Sequence, residues 1–132
     1  MSPEDVVVVR SLVSIVDDDE SVRESLPGLI RQFGLDAKTF ASAEAFLASE
    51  FVDSTSCLVL DIAMPGMSGT DLRRELTKRG QMIPTVFITA SGDRTVRRRV
   101  LAEGAVECLF KPFSGTALLD ALNAALRLRK HT

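Results

Sequence analysis

The sequence has no tryptophan, no tyrosine, one histidine and two cysteines. His131 lies in the terminal tail, which removes it from any buried mechanism and removes histidine-based metal or nucleophile chemistry with it. Cys57 and Cys108 both sit in apolar stretches with no secretory signal before them. They read as buried thiols of a reducing compartment rather than as a disulfide. No apolar run approaches the ~20 residues that a membrane span needs. Charge of one sign is also lacking: the balance is −2, which gives no electrostatic case for nucleic acid. What remains is 132 residues, 45% of them apolar, enough for one cytoplasmic domain with a real core.

The stretch Cys57-Leu-Val-Leu-Asp-Ile-Ala-Met-Pro-Gly-Met-Ser-Gly69 is the centre of the chain. Four apolar residues read as a strand buried on both faces, and the run stops at Asp61. Pro65-Gly66 and Ser68-Gly69 then impose a loop. One acid therefore stands at the carboxyl end of a buried strand, where open α/β sheets place ligand chemistry.

The rest of the chain repeats that unit. Leu12–Val16 is a strand by β-branched content and ends in Asp17-Asp-Asp-Glu20. A helix follows from about Ser21 to Gly34, with a kink or distorted turn expected at Pro27-Gly28. Asp36–Phe40 is a weaker strand, and Ser42 caps a short helix with Phe46 and Leu47 turned inward. Ser68-x-x-Asp71 has the capping-box form and opens a helix over Thr70–Arg79. Thr85–Thr89 is the fourth strand, Arg94–Glu103 a helix, and Val106–Phe110 the fifth strand. Ser114 caps a last helix with Leu118, Leu119, Leu122, Ala125 and Leu126 inward. Strict alternation predicts a doubly wound parallel sheet with helices on both faces, a three-layer (βα)5 sandwich. The domain is placed at residues 11–128. Residues 1–10, with Val6–Val9, form an arm or strand extension, and residues 129–132 form a polar tail.

Parallel strands bring their carboxyl ends to one edge. That edge collects Asp17 and Asp18, Asp61, Thr89 and Lys111. Carboxylates this close raise one another's pKa unless a cation intervenes. Mg²⁺, or Mn²⁺ in its place, suits all-oxygen ligands and keeps room for a phosphate. Lys111 as a point charge and Thr89 as a hydroxyl then suit a phosphoryl group, with Asp61 as the carboxylate that accepts it.

Four segments in this order, Ile-Val-Asp-Asp-Asp-Glu, Leu-Asp-Ile-Ala-Met-Pro-Gly-Met-Ser-Gly, Phe-Ile-Thr-Ala-Ser and Leu-Phe-Lys-Pro-Phe, resemble response-regulator receiver domains of the FixJ type. The resemblance implies the flavodoxin-like strand order 2-1-3-4-5 and phosphorylation of Asp61 by a sensor histidine kinase or phosphotransfer domain. It implies that Asp18, Asp61 and the backbone carbonyl of Ala63 hold the metal, with Asp17 acting through water. Thr89 and Lys111 would contact the phosphoryl oxygens, and the Lys111–Pro112 peptide would be cis. Ser21, Val22, Ser25 and Pro112 are the implied kinase contacts, and the 94–128 face is the implied output or homodimer surface. Such a domain is a phosphoacceptor switch rather than an enzyme, although it assists its own phosphorylation and dephosphorylation. Ala63 and Ser91 occupy the positions that tune dephosphorylation in the family.

One position departs from the family. An aromatic residue usually stands three positions before the strand-five lysine, and here it is Cys108. A thiol cannot sweep that volume, so the expected signal path is the Thr89–Asp93 loop and the 94–103 helix, with Thr89, Ser91 and Cys108 as switch positions. Two other functions fit the fold less well. An FMN binder wants a Ser/Thr/Gly-rich phosphate loop where Asp17-Asp-Asp-Glu20 stands. An aspartyl-phosphate phosphatase usually shows Asp-x-Asp and a cap domain. Arg94, Arg97, Arg98 and Arg99 read as a solvated or protein-contacting helix face, not as a nucleic-acid site.

Overall fold

The computed structural model describes residues 10–130, so Val6–Val9 and His131 lie outside the described residues. Strands β1 (Leu12–Val16), β2 (Asp36–Phe40), β3 (Thr55–Asp61), β4 (Thr85–Thr89) and β5 (Glu107–Phe110) form one parallel sheet in the order β2-β1-β3-β4-β5. Helices α1 (Glu20–Gln32), α2 (Ala43–Leu47), α3 (Gly69–Lys78), α4 (Arg94–Ala102) and α5 (Gly115–Lys130) alternate with them. This is the doubly wound arrangement that the alternation predicts, in the flavodoxin-like strand order that the resemblance implies.

The two faces of the sheet carry two apolar clusters. Val13, Ile15, Cys57, Val59, Val86 and Ile88 point to one side and meet Leu26 and Ile30 of α1 and Leu118, Leu122 and Ala125 of α5. Val16, Leu58, Leu60, Phe87 and Cys108 point to the other and meet Phe46 of α2, Leu72 and Leu76 of α3 and Val100 of α4. Alternation along each strand makes this division, and both faces are covered because every crossover passes over one of them. Each large side chain buried here contributes about 1.5–3 kcal/mol relative to exposure. Burial is unequal among the helices: α4 has a single fully buried residue, Val100.

Helix α3 begins as its sequence demands. Ser68 Oγ accepts from the Asp71 N–H at 3.1 Å, and Asp71 answers the Ser68 N–H, closing the reciprocal cap. Gly80, at φ +76, then ends the helix in the left-handed region.

Several boundaries differ from the sequence reading. Helix α1 is one element from Glu20 to Gln32 and includes Pro27-Gly28. Pro27 is buried, which offsets part of the loss of an N–H to the Arg23 carbonyl. Strand β3 begins at Thr55, before its apolar run, because Thr55 and Ser14 of β1 share a hydroxyl hydrogen bond of 2.7 Å and satisfy each other in the core. Strand β5 begins at Glu107 rather than Val106. Helix α5 continues to Lys130, so the expected polar tail begins inside a helix.

Candidate phosphoacceptor site

Strand order decides the site. Because β3 lies between β1 and β4, Asp61 stands at the centre of the carboxyl edge, with Asp17 and Asp18 on one side and Thr89 on the other. Lys111 follows β5, and its N–H donates to the Thr89 carbonyl at 2.8 Å, which ties the outer strand end back to β4. Carboxylate oxygens of Asp17, Asp18 and Asp61 lie within 4.8 Å of one another.

The three acids are not equivalent. Asp17 is fully buried and held from every side. Its N–H donates to the Phe40 carbonyl at 3.1 Å, its Oδ1 accepts from the Asp19 N–H at 2.9 Å, and its Oδ2 accepts from Lys111 Nζ at 2.8 Å. Its own carbonyl accepts from Arg23 Nη1 at 3.0 Å. Asp18 is exposed, and its carboxylate accepts from no N–H among the described residues. Asp61 is nearly buried, and Lys111 Nζ stands 4.0 Å from its Oδ1.

Burial is the main reason that the Asp61 carboxyl is pushed up to about 7, and the charge of Asp17 adds to it. Lys111 pulls the other way, and hydrogen bonds shared with Asp17 and Asp18 favour the protonated form again. On Lys111 itself burial lowers the pKa, but the Asp17 hydrogen bond and the charges of Asp61, Asp17 and Asp19 together outweigh it and leave a net increase. The lysine is therefore a fixed cation. One lysine against three acids leaves an excess of negative charge that a hard divalent cation with oxygen ligands relieves, and the donor set fits Mg²⁺.

Thr89 is buried, and its Oγ1 accepts from the Ser91 N–H at 3.2 Å. Ser91 Oγ accepts from the Asp93 N–H at 3.3 Å, and Asp93 caps α4 through the Thr95 N–H at 2.8 Å. A continuous polar chain thus runs from the strand-four hydroxyl to the start of α4. The Lys111–Pro112 peptide is cis, as the resemblance implies.

The other expected positions fall on the same rim or behind it. Ala63 is exposed in the loop after β3. On α1, Ser21 and Ser25 are exposed and Val22 is half-buried, while Pro112 is exposed beside Lys111. The hydroxyls of Ser21 and Ser25 are taken up locally, by Asp19 Oδ1 and by the Ser21 carbonyl. Cys108 is buried in the core layer behind α4, and burial is the first cause of its raised thiol pKa. Its N–H donates to Glu107 Oε1 at 2.8 Å, and its carbonyl accepts from Arg97 Nε at 3.2 Å. Arg97 Nη2 also pairs with Glu107 Oε1 at 2.7 Å. So Arg97, which the sequence groups with a solvated basic face, clamps α4 to β5, while Arg94, Arg98 and Arg99 stay exposed.

Three contacts at or near the site have no sequence signal. Arg23 reaches back to the Asp17 carbonyl from the first turns of α1. Gly69 packs so closely that a Cβ there would overlap the Asp61 carbonyl oxygen. Glu107 holds the outward-facing N–H of the edge strand. Only the α1 register, the loop path and the edge position of β5 make these contacts visible.

Comparison with known proteins agrees with this fold. The model of the response regulator receiver domain matches residues 13–123. The chain belongs to the response regulator receiver family. Nodulation protein W of Bradyrhizobium diazoefficiens is 46% identical over 116 residues, covering 88% of this chain and 51% of that protein. The solved structure of the response regulator StyR superposes with a TM-score of 0.85 at 46% identity, over 93% of this chain and 62% of that one. The structure of FixJ-N gives 0.80 at 38% identity, over 91% and 96%. This receiver chain thus spans about half the length of the curated relatives it matches. Phosphorylation-based two-component signalling is the general function of the family, and its members act as switches. Among the described residues no helix is long and apolar enough to cross a membrane.

Proposed function

We propose that Asp61 is the phosphoacceptor of this receiver, that Asp18, Asp61 and the Ala63 carbonyl hold Mg²⁺, and that a histidine kinase or phosphotransfer domain is the donor. The observation that carries the proposal is the placement of one half-buried lysine between two acids of a three-carboxylate cluster at the sheet's carboxyl edge. An Asp61 oxygen forms the new P–O bond as the P–N bond of a phosphohistidine breaks, and the imidazole leaves. Mg²⁺, when bound, neutralises phosphoryl charge at this edge. Lys111 supplies a fixed positive charge to the transferring oxygens, and Thr89 supplies a hydroxyl once it turns from the Ser91 N–H. Asp17 keeps Lys111 in place. Its direct hold on the lysine adds a second role to the water-mediated one that the resemblance implies.

Transfer of the Thr89 hydroxyl to a phosphoryl oxygen releases the Ser91–Asp93 chain and thereby biases α4, the helix with the least apolar anchorage. The kinase docks over the rim near Ser21, Val22, Ser25 and Pro112. The 94–128 face, with α4, β5 and α5, serves output or self-association. Ala63 and Ser91, both small and exposed, leave the site open to the water that ends the signal.

Incubation with acetyl phosphate and Mg²⁺, followed by intact mass, tests the assignment. One phosphoryl adduct is expected on the wild-type protein and none on Asp61→Asn. Label on any other residue, or label that is indifferent to EDTA, overturns it.

A further inference from the structure

We infer that Arg23 is a positioning residue of the acidic pocket, holding the peptide that joins its two neighbouring acids. The inference rests on the reading of that pocket as a Mg²⁺ site. Arg23 Nη1 donates to the carbonyl oxygen of Asp17 at 3.0 Å. That carbonyl and the N–H of Asp18 belong to one rigid peptide plane. Fixing the oxygen therefore fixes the direction in which the chain presents Asp18. The other polar groups of Asp17 are already committed, to Phe40, Asp19 and Lys111. With Arg23 the whole residue is immobilised, while Asp18 stands exposed at the strand end beside Asp61.

The position of Arg23 argues against a purely local role. It lies in the opening turns of α1, whose cap is Asp19, where the helix dipole disfavours a cation. Ser25 and Ser21 face water from the same turns, and either side would leave an arginine fully solvated. Instead the side chain is half-buried and turned back over the end of β1. A guanidinium serves this better than an ammonium, because its planar donors can meet a carbonyl without closing onto the nearby carboxylates as a point charge does. Groups that orient metal ligands without touching the ion typically change metal affinity 10–100-fold when removed.

Calorimetric titration with Mg²⁺ tests the inference on the unphosphorylated protein, alongside melting temperature in EDTA. Arg23→Met keeps the apolar stem and removes the donors, and it should weaken Mg²⁺ binding about tenfold. Arg23→Gln, whose shorter amide stops short of the carbonyl, should do the same. Arg23→Lys, which can still donate to that oxygen but only as a point charge drawn to the nearby carboxylates, should recover only part of the loss. Unchanged affinity in the Met and Gln variants, with or without a lower melting temperature in EDTA, makes Arg23 a helix-packing residue and overturns the inference. A wild-type protein that takes up no Mg²⁺ overturns the pocket reading itself, and this one with it.

Discussion

Lys111 reaches past the central acid to the outer one: its Nζ lies 2.8 Å from Asp17 Oδ2 and 4.0 Å from Asp61 Oδ1. Asp17 has no exposed surface and no other cation on its carboxylate among the described residues. The lysine thus neutralises a buried charge before it serves any phosphoryl group. Removing one partner of such a pair leaves the other desolvated and unpaired. Lys111→Met should lower stability by about 3 kcal/mol in urea denaturation with EDTA, and Mg²⁺ should restore more stability to the variant than to wild type. A variant as stable as wild type in EDTA would show that Asp17 does not depend on Lys111.

The Asp61 carboxyl titrates near 7 in the folded protein against 3.8 as its ordinary value, with burial the leading cause. Its folded pKa is the higher one, so the folded state keeps a proton that the unfolded chain has released. Stability from this group is therefore fully present below about 4 and is lost as pH rises to about 7. Melting temperature in EDTA should fall across that window, and Asp61→Asn should abolish this part of the fall and melt higher at pH 8. Mg²⁺ at pH 8 should raise the wild-type melting temperature and leave the Asn variant nearly unmoved. An identical pH profile for the two proteins contradicts the burial argument.

Gly69 opens α3 directly behind the Asp61 carbonyl. An added Cβ meets backbone there, which cannot yield as a flexible side chain does. Gly69→Ala should therefore displace the end of β3 at Asp61 and the loop that carries Ala63, and destabilise the protein by about 1–3 kcal/mol. Labelling by acetyl phosphate should slow as well. Full stability with wild-type labelling would mean that the loop has more freedom than its packing indicates.

Arg97 and Glu107 hold the middle of α4 on the edge strand, and their side chains are 39% and 32% exposed. Such a clamp contributes about 1 kcal/mol, so breaking it should speed amide exchange in α4 about fivefold. Arg97→Ala and Glu107→Ala should each do so, and the charge-swapped Arg97→Glu/Glu107→Arg pair should recover part of the protection. Exchange confined to the 90–93 loop in both single variants would place the weak point before the helix instead.

Much of this molecule was legible from residue order. Apolar runs ending in Asp17, Asp61, Thr89 and Lys111 specify parallel strands and put those groups on one edge, because alternation of strands and helices admits few other topologies. The Ser68–Asp71 cap was readable for the same reason, being a contact within four residues. Pro27-Gly28 stays inside one helix although local propensity argues against it, because propensity does not register the burial of the Pro27 ring.

The sequence by itself determined the fold class, the family and the set of acids. Tertiary structure alone decided how those acids differ: which is buried, which is braced by Lys111 and Arg23, and which faces solvent. It also decided that one arginine of α4 is a clamp while its neighbours are surface. The physical reason is range. Strand and helix patterns are written in spacings of two to four residues. Desolvation and pairing depend on groups 94 positions apart in the chain, as Asp17 and Lys111 are, and exist only once the sheet has brought them together.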